Sequence, residues 1–158
     1  MDPMAQARQS LARILPNELE QVRGGDKPYV DFHGIHTGNN GAELMKTLVN
    51  ISEVSSTNSS GYHYLILDEV DNLSSASMKS LKLVMNVKHV VYIFTTNHLP
   101  AIDPSVQSRC HLIDMTVPPP QAWLPRARMI LAQHGITQPV SDQALTEMIE
   151  LHLSLIHI

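Results

Sequence analysis

The 158-residue chain is 43% hydrophobic and 16% charged, with a formal charge of −4 and a pI near 6.1. These values lie in the globular range and exclude collagen, wholesale disorder and low-complexity classes. A mildly acidic chain cannot bind nucleic acid through bulk charge, which leaves a local basic patch as the route to any such contact. One cysteine excludes an internal disulfide framework. No apolar run approaches the roughly 20 residues of a membrane span, so no membrane partner is expected. The opening MDPMAQARQS lacks the apolar stretch of a secretory signal.

Residues 4–23 predict a helix, with Leu11, Ile14, Leu15, Leu19 and Val22 recurring at helical spacing. Pro16 is expected to kink or split it, unless it opens a second helix. Gly24-Gly25-Asp26 marks a turn, and Tyr29 to Ile35 alternates as a short strand would. Gly38-Asn39-Asn40-Gly41 reads as a second turn, followed by an amphipathic helix carrying Leu44, Met45, Leu48, Val49 and Ile51. Residues 55–61 (SSTNSSG) predict a flexible polar loop. Tyr64-Leu65-Ile66-Leu67 is a continuous apolar run, as in a strand covered on both faces of a parallel sheet. Ser74 to Asn86 is helical in pattern, with Ser74 or Ser75 as N-cap. Val90 to Phe94 predicts another buried strand and His111 to Val117 a further one. Pro118-Pro119-Pro120 marks a boundary, after which Ala122–His134, stopped by Gly135, and Asp142 to about His152, capped by Ser141, predict helices. The succession argues for a parallel α/β sheet over residues 1–117, followed by a small helical piece over 118–158. In that piece Met129, Ile130, Ile136, Leu145, Met148 and Ile149 read as its core and Trp123 as a packing residue.

Three elements carry chemistry. In Tyr64-Leu65-Ile66-Leu67-Asp68-Glu69, a buried strand delivers two adjacent carboxylates to the C-terminal edge of a sheet, where open α/β folds bind ligands. One acid can hold Mg²⁺ through water, while the next can orient or deprotonate an attacking water; the same acids also suit the N-terminal flank of a following helix. Val90 to Asn97 is a strand ending in polar side chains, and the Asn97 amide can reach a phosphate oxygen or act as a turn residue. In Val106-Gln107-Ser108-Arg109-Cys110, a guanidinium beside a hydroxyl suits a forked phosphate contact. Nine histidines invite a metal reading, but His33 and His36 do not sit at helical ligand spacing and no HExxH occurs. Cys110 reads as a small buried hydrophobe.

Together these elements resemble the AAA+ ATPases, most closely the clamp-loader small subunits of replication factor C type: LILDEVDNLS resembles the Walker B motif, YIFTTNHLPAID sensor 1, and VQSRC the arginine-finger motif. Ser108-Arg109-Cys110 narrows the resemblance to the clamp-loader clade, and Met85-Asn86-Val87-Lys88 favours its archaeal, eukaryotic and phage branch. The resemblance implies a P-loop NTPase fold, with ATP and Mg²⁺ as cofactors. Asp68 would help hold Mg²⁺ and contact the nucleotide, Glu69 would polarise the hydrolytic water, and Asn97 would sense the γ-phosphate. Arg109 would reach ATP held by the next subunit of a ring. Asn72, Ser74, Ser75 and Lys79 would contact template DNA; a solvated helix face is the alternative for them. The implied partners are sister clamp-loader subunits, the sliding clamp and primer–template DNA, and the implied location is cytoplasmic, nuclear in a eukaryote, or host cytoplasm for a phage. Residues after Pro120 would begin the helical lid.

No G-x-x-x-x-G-K-[ST] occurs among the 158 residues. The expectation is therefore a fragment that starts downstream of the Walker A loop, lacks the first strand, ends within the lid, and is inactive as an ATPase on its own. The terminal LSLIHI reads as sequencing-adapter sequence. The alternatives are a non-hydrolysing structural ring subunit, or another AAA+ replication or recombination motor.

Overall fold

A computed structural model describes residues 3–36, 41–115, 118–136, 138 and 140–156. The chain divides into two compact units, Ala5–Asp114 and a second made of Met1–Met4 with Met115–Ile158.

The first unit is an α/β layer. Helix α1 (Pro3–Val22) leads to strand β1 (Val30–Gly34), helix α2 (Ala42–Glu53), strand β2 (His63–Asp68), helix α3 (Ser75–Val84), strand β3 (Val90–Phe94) and the short helix α4 (Pro104–Gln107). The strands form one parallel sheet in the order β1-β2-β3, with Phe32 opposite Ile66 and Leu67 opposite Phe94. Parallel neighbours need a crossover, and α2 and α3 supply the two crossovers here.

The apolar run of β2 is buried throughout, because both faces are covered. Side chains alternate along a strand. Leu65 and Leu67 join Met45 and Leu48 of α2, Met78 and Leu81 of α3, and Val106 of α4 in the core. Tyr64 points the other way, its hydroxyl meeting Glu20 of α1, so Ile66 and Asp68 share the α1 side with it. On α1, Gln9, Ala12, Pro16 and Glu20 recur at i, i+3, i+7 and i+11 and form one stripe. Ala12, Pro16 and Glu20 are buried, and Arg13 lies over the Phe32 ring of β1, 4.2 Å from its centroid. About 16 Å of helix separates Gln9 from Glu20, against about 13 Å of strand between Asp68 and Tyr64. The helix thus runs antiparallel to β2 and is held at both ends.

Several sequence expectations are corrected. Pro16 neither splits α1 nor opens a second helix; it is buried inside one continuous helix, where it removes one backbone donor but fills the interface with the sheet. The 55–61 loop is held by hydrogen bonds: Asn58 Nδ2 donates to the carbonyls of Tyr29 and Tyr62, and Ser60 donates to Glu20. His111 to Met115 forms no strand; no ladder reaches it among the described residues, and Leu112 and Ile113 are exposed. Thr116 and Val117, like residues 38–40 of the expected second turn, lie outside the described residues.

The second unit contains a 3-10 turn (Pro120–Trp123), helix α5 (Leu124–Gln133) and helix α6 (Asp142–Ile156). Gly135, with φ 71°, ends α5 as expected, and the Ser141 hydroxyl accepts from the Ala144 N–H at the start of α6. Arg128 pairs with Asp142 at the surface. The expected apolar core of this unit is not formed as a whole: Leu145 is buried, whereas Met129, Ile130, Ile136 and Met148 are exposed. Two short helices offer too little facing surface to cover that many apolar side chains. No helix among the described residues is long and apolar enough to cross a membrane.

Candidate functional site

The site lies at the C-terminal edge of the sheet. Asp68 ends β2 opposite Gly34, and its carbonyl accepts from the Ile35 N–H at 3.0 Å. Thr95, just beyond β3, extends the ladder: its N–H donates to the Leu67 carbonyl at 3.1 Å, and its carbonyl accepts from the Val70 N–H at 3.0 Å. These bonds place the buried Thr95 hydroxyl between the two acids. It donates to Asp68 Oδ1 and accepts from the Glu69 N–H at 3.1 Å.

Glu69 occupies the left-handed region, with φ 57° and ψ 50°, the one non-glycine positive φ among the described residues. Such a backbone costs roughly 1–2 kcal/mol in a residue bearing a Cβ. Surrounding contacts hold it there: the Thr95 hydroxyl on its N–H, and Asn72 Nδ2 on its Oε2 at 3.2 Å. Glu69, whose side chain is exposed, starts a 3-10 turn (Val70–Asn72).

Helix α1 contributes two further residues. Gln9 Nε2 donates to Asp68 Oδ2 at 2.8 Å, and the Arg8 guanidinium donates to Asn97 Oδ1. Both carboxylate oxygens of Asp68 therefore accept hydrogen bonds from protein side chains. Asp68 ends β2, Glu69 follows it and Asn97 follows β3, so the three lie at the same end of neighbouring parallel strands. Thr95, Arg8 and Gln9 were not singled out from the sequence. Thr95 carried a usable signal, standing at the end of a buried strand beside Asn97. Arg8 and Gln9 carried none, because their partners lie 89 and 59 residues away.

Arg109 stands apart from this cluster. It follows α4, whose first turn is capped by Asp103 accepting from the Ser105 N–H at 2.7 Å. The Ser105 hydroxyl, which also donates to Asp103 Oδ1, and that N–H hold the Asp103 carboxyl below its ordinary pKa. The Arg109 guanidinium is exposed and donates to the Ser105 carbonyl in its own turn, leaving most of its five donors turned to solvent. Cys110 is half-buried against the core, and burial pushes its thiol pKa up, which suits a packing residue. Of the four DNA candidates, Ser75 and Lys79 are exposed. Asn72 is engaged by Ile35 and Glu69, and Ser74 caps α3 by accepting from the Ser77 N–H.

Behind the site, a buried carboxylate fastens the far end of α1. Glu20 accepts from the Ser60 N–H at 2.9 Å, the Ser60 hydroxyl and the Tyr64 hydroxyl at 2.7 Å. Burial alone would raise its pKa, but these bonds and the Arg23 charge outweigh burial and hold it below the ordinary 4.5. Burial and the neighbouring Glu20 push the Tyr64 hydroxyl above its ordinary 10.0.

A resident Mg²⁺ would take oxygen ligands at about 2.0–2.1 Å. Asp68 instead accepts the Gln9 N–H on Oδ2 and the Thr95 O–H on Oδ1. No group of three or more His, Cys, Asp or Glu side chains converges among the described residues. As arranged, these side chains do not fit a bound Mg²⁺.

The architecture is an α/β protein whose three-stranded parallel sheet carries an acid pair at its C-terminal edge, compatible with part of a P-loop NTPase fold. No family model matches the chain. Over 91 residues, 56% of its length, the chain is 30% identical to replication factor C small subunit 2 of Pyrobaculum islandicum. It is 31% identical over 91 residues to the same-named protein of Pyrobaculum aerophilum, and 30% to that of Pyrobaculum arsenaticum. The matched region spans 28% of the length of each of these relatives. Their name is that of the family the three motifs resemble.

Proposed function

We propose that the chain is part of a clamp-loader-type AAA+ subunit. It works in a ring that couples ATP binding and hydrolysis to placing a sliding clamp on primer–template DNA. The observation that carries this reading is the placement of Asp68-Glu69 at the end of β2 and Asn97 just beyond β3, its parallel neighbour, joined with 30% identity to replication factor C small subunits. In the ring, the exposed Arg109 serves the neighbour's nucleotide, neutralising charge that develops on the transferred phosphoryl group. Exposed Lys79 and Ser75 are the residues left to meet the DNA backbone; Asn72 and Ser74 have internal bonds.

Two roles are open to the chain's own edge. In one, which requires Asp68 and Asn97 to be freed from Gln9 and Arg8, Asp68 would hold Mg²⁺, Glu69 would polarise water and Asn97 would sense the γ-phosphate. In the other, the subunit is structural and its arginine alone takes part in hydrolysis. The contacts of Arg8 and Gln9 favour the second role.

The test is reconstitution with sister subunits, clamp and primed DNA from the same source. The expected outcome is that Arg109→Ala leaves assembly intact and lowers ring ATP turnover at the neighbouring site by about 10³-fold or more. A chain that fails to join the ring, or an Arg109→Ala ring with full turnover, overturns the reading.

A further inference from the structure

We propose that Arg8 and Gln9 form a built-in lock, in which α1 takes up Asp68 and Asn97 with the chain's own side chains instead of Mg²⁺ and a nucleotide phosphate. The proposal deepens the structural-subunit role and rests, for its meaning in a ring, on the clamp-loader reading.

The lock has three parts. First, the acceptor capacity facing α1 is engaged: Gln9 Nε2 lies 2.8 Å from Asp68 Oδ2, and Thr95 donates to Oδ1. A divalent ion drawn to Asp68 has to compete with those two donors for the carboxylate. Second, the Arg8 guanidinium, bonded to Asn97, fixes a permanent positive charge at the same edge. Third, both residues sit inside a regular helix that begins at Pro3. Beyond the first four residues, each backbone N–H of a helix is bonded four residues back, so positions 8 and 9 have no free N–H groups to cradle phosphate.

The lock is positioned rather than accidental. Gln9 belongs to the stripe that buries Ala12, Pro16 and Glu20 against the sheet, and the Glu20 bonds to Ser60 and Tyr64 pin the same helix at its other end. Sliding α1 away to admit a nucleotide would break both ends together.

The experiment uses the full chain, Mg²⁺–ATP as probe, and four variants: Arg8→Ala, Gln9→Ala, Asp68→Asn and Asn97→Ala. Titration calorimetry is expected to show no saturable Mg²⁺–ATP binding up to about 1 mM, and the Tm is expected not to move with Mg²⁺–ATP. Arg8→Ala and Gln9→Ala should each lower Tm by about 2–4 °C. Combining Gln9→Ala with Asp68→Asn, or Arg8→Ala with Asn97→Ala, should lower it by less than the two single changes added. Saturable binding of Mg²⁺–ATP by the unaltered chain overturns the lock, and so does an unchanged Tm in both single α1 variants. Neither result touches the ring reading, which stands or falls on Arg109 in the reconstituted complex.

Discussion

Thr95→Val is the sharpest probe of how the acidic edge is built. The side chains have nearly the same shape, so the change mainly removes the hydroxyl and its hydrogen bonds. That hydroxyl donates to Asp68 and accepts from the Glu69 N–H, and Thr95 is 8% exposed. A hydrogen bond to a charged group contributes about 1.5–3 kcal/mol, and leaving a buried backbone N–H unpaired costs about 1–3 kcal/mol. Asp68 is half-buried and Glu69 exposed, so water partly replaces both bonds. The expected loss is therefore near the low end of the sum, about 2–3 kcal/mol. Against a total stability of about 5–15 kcal/mol this is a large fraction. Urea unfolding followed by far-ultraviolet circular dichroism measures it as a lower midpoint at constant m. Thr95→Ser keeps the hydroxyl and should cost about 1 kcal/mol, close to the value of one buried methylene. The double variant Thr95→Val with Asp68→Asn should fall short of additivity by at least about 0.5 kcal/mol, since both changes break the same bond. A Thr95→Val protein within about 0.5 kcal/mol of the parent, or a serine variant as unstable as the valine one, would refute the bridging role.

Three further outcomes are expected. The Glu20 carboxyl has a folded-state pKa below 4.5, so its contribution is present above pH 4.5 and is lost as pH falls through the depressed value. Glu20→Gln should then lower stability at pH 7 by about 1–3 kcal/mol and flatten the acid limb of a pH–stability curve; parallel acid limbs in parent and variant would contradict the assignment. At the left-handed Glu69, Glu69→Val should destabilise by about 2 kcal/mol, while Glu69→Gly should stay within about 1 kcal/mol of the parent; equal costs for the two would show that backbone strain is not at issue. Gly41 has φ 73°, and a Cβ there would lie 2.7 Å from Leu73 Cδ2 and 2.9 Å from Ser77 Oγ. Gly41→Ala should therefore lose about 1–3 kcal/mol by the same unfolding measurement, and an unchanged midpoint would count against that packing.

The sequence by itself determined the elements whose signals are local. Tyr64 to Leu67 reads as a strand buried on both faces because four consecutive apolar residues suit no half-exposed alternative, and β2 is buried over that run. Val90 to Phe94 and the Ser74 cap of α3 are legible for the same reason: a strand's apolarity and a cap's hydroxyl lie within a few residues of the structure they cause. The parallel order followed, since helices between strands force crossovers. Tertiary structure decided everything that depends on a distant partner. The stretch His111–Asp114 has a strand's composition but joins no ladder among the described residues. The apolar stripe of α5 and α6 has helical spacing but mostly no surface to bury against. Pro16, a helix breaker by local rules, is kept inside α1 because it is buried there. The acids Asp68 and Glu69 could be found by reading along the chain. Their environment could not, because the groups that touch Asp68 arrive from 59 residues before it and 27 after it. Local composition places a carboxylate at a sheet edge. Whether it faces a cation or a donor from its own chain is settled only when α1 lies across that edge.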